Sequence, residues 1–121
     1  MYGKKIMEHF VNPRNMGELE NPSTIGEAGN PTCGDMMRLY LQIEGDKIVD
    51  IKFKTFGCGA AIASTSALTE IVKGLTIEKA KKLTKKDVMD FLDDQLPPKK
   101  IHCSLLAIDA LLDGLFKYEE K

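Results

Sequence analysis

At 121 residues the chain has room for one compact domain and not for two. Its composition, 43% hydrophobic and 29% charged, is that of a folded globular chain rather than a disordered one. A net charge of −1, from 17 basic and 18 acidic residues, excludes bulk attraction to nucleic acid or to an anionic membrane surface.

No apolar stretch approaches a membrane span, and Met1–Lys5 leads into no secretory hydrophobic region. A single domain over residues 1–121, resident in the cytoplasm, is therefore expected. Tyr2, Ile6, Met7 and Phe10 recur at helical spacing and Asn12-Pro13 ends the run, which predicts a short amphipathic helix over residues 2–11. His9 lies on that helix with no thiol or carboxylate pair nearby, so it reads as a packing or surface residue and not a ligand. From Asn12 to Thr32 the chain is rich in Gly, Pro and Asn and reads as loop, with one short strand around Ile25–Ala28.

Residues 36–56 carry the clearest pattern. Met37, Leu39, Leu41 and Ile43 alternate with Arg38, Tyr40, Gln42 and Glu44, and Val49, Ile51 and Phe53 alternate with Asp50, Lys52 and Lys54. This is the period of two half-buried strands separated by Gly45-Asp46, a β-hairpin with one dry and one wet face. Keeping the apolar residues on one face requires a turn of about three residues, with Leu41 opposite Ile51 or Val49 and Leu39 opposite Phe53 or Ile51. The same register, extended to the open end, sets Cys33 opposite Gly57 or Gly59 and beside Cys58.

Ala60–Val72 is rich in small apolar residues and predicts a closely packed helix that stops at Gly74. Thr76–Lys82 reads as a helical turn or two, and Thr84-Lys85-Lys86-Asp87 as a capping box opening a helix to about Leu92. The lysines there form a solvated face, since no aromatic residues interleave with them. After the rigid Leu96-Pro97-Pro98, a final helix follows, with Ile101, Leu105, Ile108, Leu112 and Leu115 as its apolar stripe and Asp109 and Asp113 opposite.

Three widely separated cysteines make a poor disulfide framework and stay reduced in the cytoplasm. Each stands at an element end. Cys33 lies in the turn-prone Asn30–Asp35, and Cys58 is bracketed by Gly57 and Gly59, where missing side chains leave the backbone open to a bulky ligand. Cys103 opens the final helix, where unpaired N–H groups and the helix dipole favour a thiolate. Asp35 and His102 each lie beside one of these thiols. Three Cys with one of the two would complete a tetrahedral zinc site or hold a two-iron, two-sulfur cluster. A fourth ligand other than sulfur makes such a cluster easier to release.

The segments Asn30-Pro31-Thr32-Cys33-Gly34-Asp35, Phe56-Gly57-Cys58-Gly59-Ala60-Ala61-Ile62-Ala63-Ser64 and Leu96-Pro97-Pro98-Lys99-Lys100-Ile101-His102-Cys103-Ser104 strongly resemble the IscU-type iron–sulfur scaffold family. With Asn12-Pro13-Arg14-Asn15 the resemblance covers essentially the whole chain. It implies an α+β fold, a small antiparallel β-sheet of about three strands with helices packed on one face. It also implies cluster and metal ligation by Cys33, Asp35, Cys58, His102 and Cys103.

The implied function is non-enzymatic: a stoichiometric scaffold and sulfur acceptor on which a transient 2Fe-2S cluster is built. Iron (Fe2+) and electrons come from donor proteins, and persulfide sulfur from a cysteine desulfurase. The cluster then passes to acceptor apoproteins. In this family the apo site often carries Zn2+, and Asp35 corresponds to the position tied to cluster lability.

Cys103 is the candidate persulfide acceptor, with His102 as a neighbouring base. Lys99 stands where the family's chaperone-binding segment, here Leu96–Lys100, usually has valine, which weakens the expectation of a dedicated chaperone. The alternative is a zinc-dependent sulfur-transfer protein of the SufU type. Those relatives carry an insertion before the last motif and lack the histidine that this chain has at His102.

Overall fold

In a computed structural model, residues 4–30, 35–57, 59–92 and 101–120 are described, with Asn30, Asp35, Ile101 and His102 described by backbone only. The alternating segment forms the expected hairpin. Strand β2 (Asp35–Glu44) pairs antiparallel with β3 (Lys47–Phe56), Leu39 opposite Phe53 and Leu41 opposite Ile51. The connection differs from the expected three-residue turn. Only Gly45 and Asp46 join the strands, and the register shifts between Gln42, opposite Asp50, and Ile43, opposite Ile48. Val49 is the residue skipped there. A two-residue turn alone would put the far half of the hairpin out of phase, and this bulge restores the phase that keeps Leu39, Leu41, Ile51 and Phe53 on one face.

Strand β1 (Thr24–Asn30) lies on the other side of β2, in the order β1-β2-β3, with Gly26 opposite Leu39 and Asn30 opposite Asp35. It is longer than the four residues expected from the sequence, because its glycines hide the alternation that would reveal a strand.

Five helices among the described residues complete the fold: α1 (Lys4–Val11), α2 (Gly59–Val72), α3 (Ile77–Lys81), α4 (Lys85–Phe91) and α5 (Ile101–Glu119). Tyr2 and Gly3, included in the expected first helix, lie outside the described residues. Thr76 caps α3 through its hydroxyl, which accepts from the Lys79 N–H at 3.2 Å. At the start of α4, the Asp87 carboxylate accepts from the Thr84 N–H at 2.7 Å, the reciprocal half of the expected capping box.

Helices α2 and α5 cover one face of the sheet, and α1 and α4 pack against α2. The core lies between these layers. Met37, Leu39, Leu41, Ile48, Ile51 and Phe53 from the sheet are buried, facing Leu68, Val72, Leu111 and Leu115 from the helices. Each full burial of a side chain this size stabilises by about 1.5–3 kcal/mol before entropy is counted. No described helix is long and apolar enough to cross a membrane.

The buried side of α5 corrects the expected stripe. Ile108 and Leu115 are buried, but Leu105 is 45% exposed and Leu112 38% exposed. The side chains turned inward are instead Cys103, Ala107, Ala110 and Leu111, together with Gly114. Small residues let α5 approach β1 backbone to backbone, and the larger leucines are left on the outer surface.

Candidate functional site at one end of the sheet

The strand register brings the strand ends that flank the candidate residues to one end of the sheet. Asn30 pairs with Asp35, so the chain crosses from β1 to β2 through residues 31–34. Met36 pairs with Phe56, so the segment leading through Gly57 into α2 departs from that same end. Gly57 has φ of 153°, a conformation that favours glycine, and it turns the chain from strand towards helix.

Helix α5 runs antiparallel to β1. Lys117 reaches the Ile25 carbonyl, whereas Asp113 reaches the Glu27 N–H. Cys103 lies ten residues before Asp113, about 15 Å along the axis at the helical rise. Along β1, about 15 Å beyond Glu27 is four to five strand residues, one or two residue lengths past the end of β1 at Asn30. The N-termini of α2 and α5 therefore both point to the end where β1, β2 and β3 meet the loops. The positive ends of their helix dipoles face that end, which favours thiolates and other anionic sulfur.

Of the five candidate residues, Cys33 and Cys58 lie outside the described residues. Asp35 is the first residue of β2 and His102 the second of α5, both described by backbone. Cys103 is the third residue of α5 and fully buried. The thiol stands at the start of the final helix, as expected from the sequence, and packing buries it there.

Gly59 also differs from expectation. A Cβ there would stand 3.1–3.3 Å from the ring of Phe10, so α1 already fills one of the spaces read as open to a ligand.

The outer face of the sheet contributes features that motif reading missed. Met36 and Phe56 are paired across the strands and exposed, 71% in the case of Phe56. With Glu27, Met37, Arg38 and Lys54 they line a shallow cavity of about 230 Å³. The signal was present in the sequence, since Met36 and Phe56 are apolar residues in the wet phase of the alternation.

The cations are balanced in place. Arg38 pairs with Glu27 at 2.9 Å, and Lys54 with Glu18, whose carboxyl the Lys54 hydrogen bond and charge hold below the ordinary range. Tyr40, read as solvent-facing, is buried on this outer face, where it contributes to the electrostatic environment of Glu18 and Arg38.

A family model described as the NifU-like N-terminal domain matches residues 1–121. The chain belongs to the NifU-like N-terminal domain family. Within it, this chain is 49% identical over 121 residues to iron–sulfur cluster assembly scaffold protein IscU 1 of Archaeoglobus fulgidus, covering 100% of this chain and 78% of that protein. It is 50% identical over 112 residues to the scaffold protein IscU of Aquifex aeolicus, covering 91% and 71%.

A solved structure with the same fold comes from Fervidobacterium islandicum and is described as a candidate iron–sulfur cluster assembly scaffold for the SUF system. It matches with a TM-score of 0.75 and 29% identity, over 94% of this chain and 96% of that one. The α+β, single-domain architecture of the NifU-like N-terminal family is the one found here.

Proposed function

We propose that this protein is an iron–sulfur cluster assembly scaffold acting in the cytoplasm. It binds iron and sulfide as cargo at the loop end of the sheet and gives the cluster up to acceptor apoproteins. The observation that carries the reading is the convergence at one end of the fold. The chain entering residues 31–34, the chain leaving Phe56 and the N-termini of α2 and α5 all meet there, in a protein about half identical to named IscU scaffolds over its length.

In this reading Cys33, Cys58 and Cys103 are the thiolate ligands of a transient 2Fe-2S cluster, and Asp35 or His102 supplies the fourth ligand. The same donors suit Zn2+ in the cluster-free protein. An oxygen or nitrogen ligand lowers the cost of handing the cluster on. Cys103, as candidate persulfide acceptor, has first to be uncovered, and the docking of a cysteine desulfurase at this end of the sheet supplies the occasion. The role is stoichiometric, with Fe2+ and electrons supplied by donor proteins.

The test is anaerobic reconstitution with a desulfurase, cysteine and ferrous iron, followed by iron quantification and visible absorption. A labile cluster of two irons per chain is expected, and it should be lost in Cys33→Ser, Cys58→Ser and Cys103→Ser. Acceleration of desulfurase turnover by zinc-loaded protein, with no cluster formed, would replace this reading with the SufU-type one.

A further inference from the structure

The two edges of the sheet are closed in different ways. At the β3 edge, backbone does it. The Phe53 N–H donates to the Asn15 carbonyl at 2.9 Å, the Gly17 N–H to the Phe53 carbonyl at 2.8 Å, and the Ile48 N–H to the Leu75 carbonyl at 2.9 Å. At the β1 edge no strand or loop backbone pairs among the described residues, and side chains of α5 take that place.

The Glu27 N–H donates to Asp113 Oδ2 at 2.9 Å, Lys117 Nζ donates to the Ile25 carbonyl at 3.4 Å, and Lys117 and Asp113 pair with each other at 2.9 Å. In an antiparallel strand the N–H and C=O of one residue point to the same side, and successive residues alternate sides. Ile25 and Glu27 are therefore the residues whose backbone groups face outward, while Thr24, Gly26 and Ala28 face β2. The spacing matches: two strand residues span about 6.6 Å and four helix residues about 6 Å.

An edge strand with free N–H and C=O groups is a template for another strand, and proteins ordinarily blunt it with lysine, proline or a bulge in the strand itself. Strand β1, Thr-Ile-Gly-Glu-Ala-Gly-Asn, has none of these. Its one charged residue, Glu27, is engaged by Arg38 at 2.9 Å.

We propose that the Asp113–Lys117 pair is a guard that closes the β1 edge to strand addition by a second copy of this chain. The occupant follows from the symmetry of the edge. A two-fold axis through Gly26 sets Ile25 of one copy opposite Glu27 of the other, so that each outward N–H meets an outward carbonyl and the two Glu27 side chains avoid one another. The guard is independent of the cluster.

The test is sedimentation velocity under reducing conditions over a range of concentrations, comparing the wild type with Asp113→Ala/Lys117→Ala. The double variant should self-associate at least tenfold more tightly than the wild type. Adding Ile25→Pro should abolish the gain, because it removes an outward N–H and leaves the β1–β2 ladder intact. Association equal to that of the wild type, or association that survives Ile25→Pro, overturns the proposal.

Amide exchange gives a reading that does not depend on the double variant folding. The Glu27 N–H of the wild type should exchange at least tenfold more slowly than in Asp113→Ala, with Asp113→Asn, which keeps an acceptor oxygen, restoring most of the protection. A Glu27 amide equally exposed in all three overturns the guard as well.

Discussion

Gly26 of β1 and Gly114 of α5 pack backbone against backbone. A Cβ on Gly26 would stand 2.0 Å from the Ala110 carbonyl oxygen and 2.6 Å from the Gly114 nitrogen, while a Cβ on Gly114 would stand 3.1 Å from the Gly26 nitrogen and from Leu41 Cδ1. Beside this contact the Thr24 hydroxyl donates to the Gly114 carbonyl at 2.8 Å.

The two glycines therefore differ in what substitution does. Gly26→Ala drives a methyl into helix backbone that cannot rotate away, and should cost about 3 kcal/mol, the upper end of overpacking effects. Gly114→Ala needs a shift of a few tenths of an ångström and gains about 1 kcal/mol of helix propensity, so its net effect should stay within about 1 kcal/mol. Urea denaturation of both variants, with m-values compared, checks the difference.

A second relationship makes the fold sensitive to pH. His9 of α1 is buried against α2, its Nδ1 2.8 Å from Ser66 Oγ, which also accepts from the Arg14 N–H at 2.9 Å. Ser66 Oγ and His9 Nδ1 share one hydrogen bond whose donor is set by the ring tautomer, and Phe91 packs edge-on to the imidazole with centroids 5.7 Å apart. Burial, reinforced by the nearby Arg14 charge, pushes the imidazole pKa below its ordinary value, against Glu70 and Glu8, which raise it.

With the folded pKa depressed, the unfolded chain binds the proton first as pH falls. The His9 contribution is full above the unfolded value of about 6.5 and is lost as pH falls through the lower folded value. Urea midpoints should decline from pH 8 to pH 5, and His9→Gln should flatten that decline while costing about 1–3 kcal/mol at pH 8.

What could be read from the sequence, and what could not, divides along side-chain size. Leu39, Leu41, Ile51 and Phe53 fix the hairpin register because slipping any of them to the wet face is costly, and the bulge at Val49 yields to that demand. β1 was half hidden because Gly26 and Gly29 have no side chain to alternate. The inner side of α5 was misassigned to Leu105 and Leu112 for the mirror reason: hydrophobic periodicity counts large residues, while Ala107, Ala110 and Gly114 make the closest contact. At the candidate site the burial of Cys103 depends on tertiary packing that no local motif carries.

Two serines on α2 predict opposite outcomes. Ser66 is buried and doubly engaged, by His9 and Arg14, whereas Ser64, two residues earlier and equally buried, has an Oγ with no hydrogen-bond partner among the described residues. Ser66→Ala strands the Arg14 N–H and His9 Nδ1 and should destabilise by about 1–3 kcal/mol. Ser64→Ala removes a desolvated hydroxyl that nothing satisfies, and should stabilise by about 1 kcal/mol or leave stability unchanged. Thermal midpoints of the two single variants decide the point, and a destabilised Ser64→Ala would mean that the hydroxyl has a partner, such as bound water.

The burial of Cys103 makes its chemistry conditional on opening. In a Cys33→Ser/Cys58→Ser variant, where Cys103 is the one remaining thiol, alkylation by iodoacetamide should be at least about a hundredfold slower in native buffer than in urea. At 1.4 kcal/mol per tenfold, that ratio corresponds to an opening free energy of about 2.8 kcal/mol or more. The opening is local to the N-terminal turn of α5, so the rate should respond weakly to low urea, where global unfolding responds steeply. On the proposed function, addition of a cysteine desulfurase without its cysteine substrate should raise the rate, because the proposed docking at this end of the sheet would favour the state in which the thiol is reachable. A native rate equal to that of the unfolded chain would show Cys103 open without a partner. A native rate that the desulfurase leaves unchanged would move the sulfur-accepting role to Cys33 or Cys58.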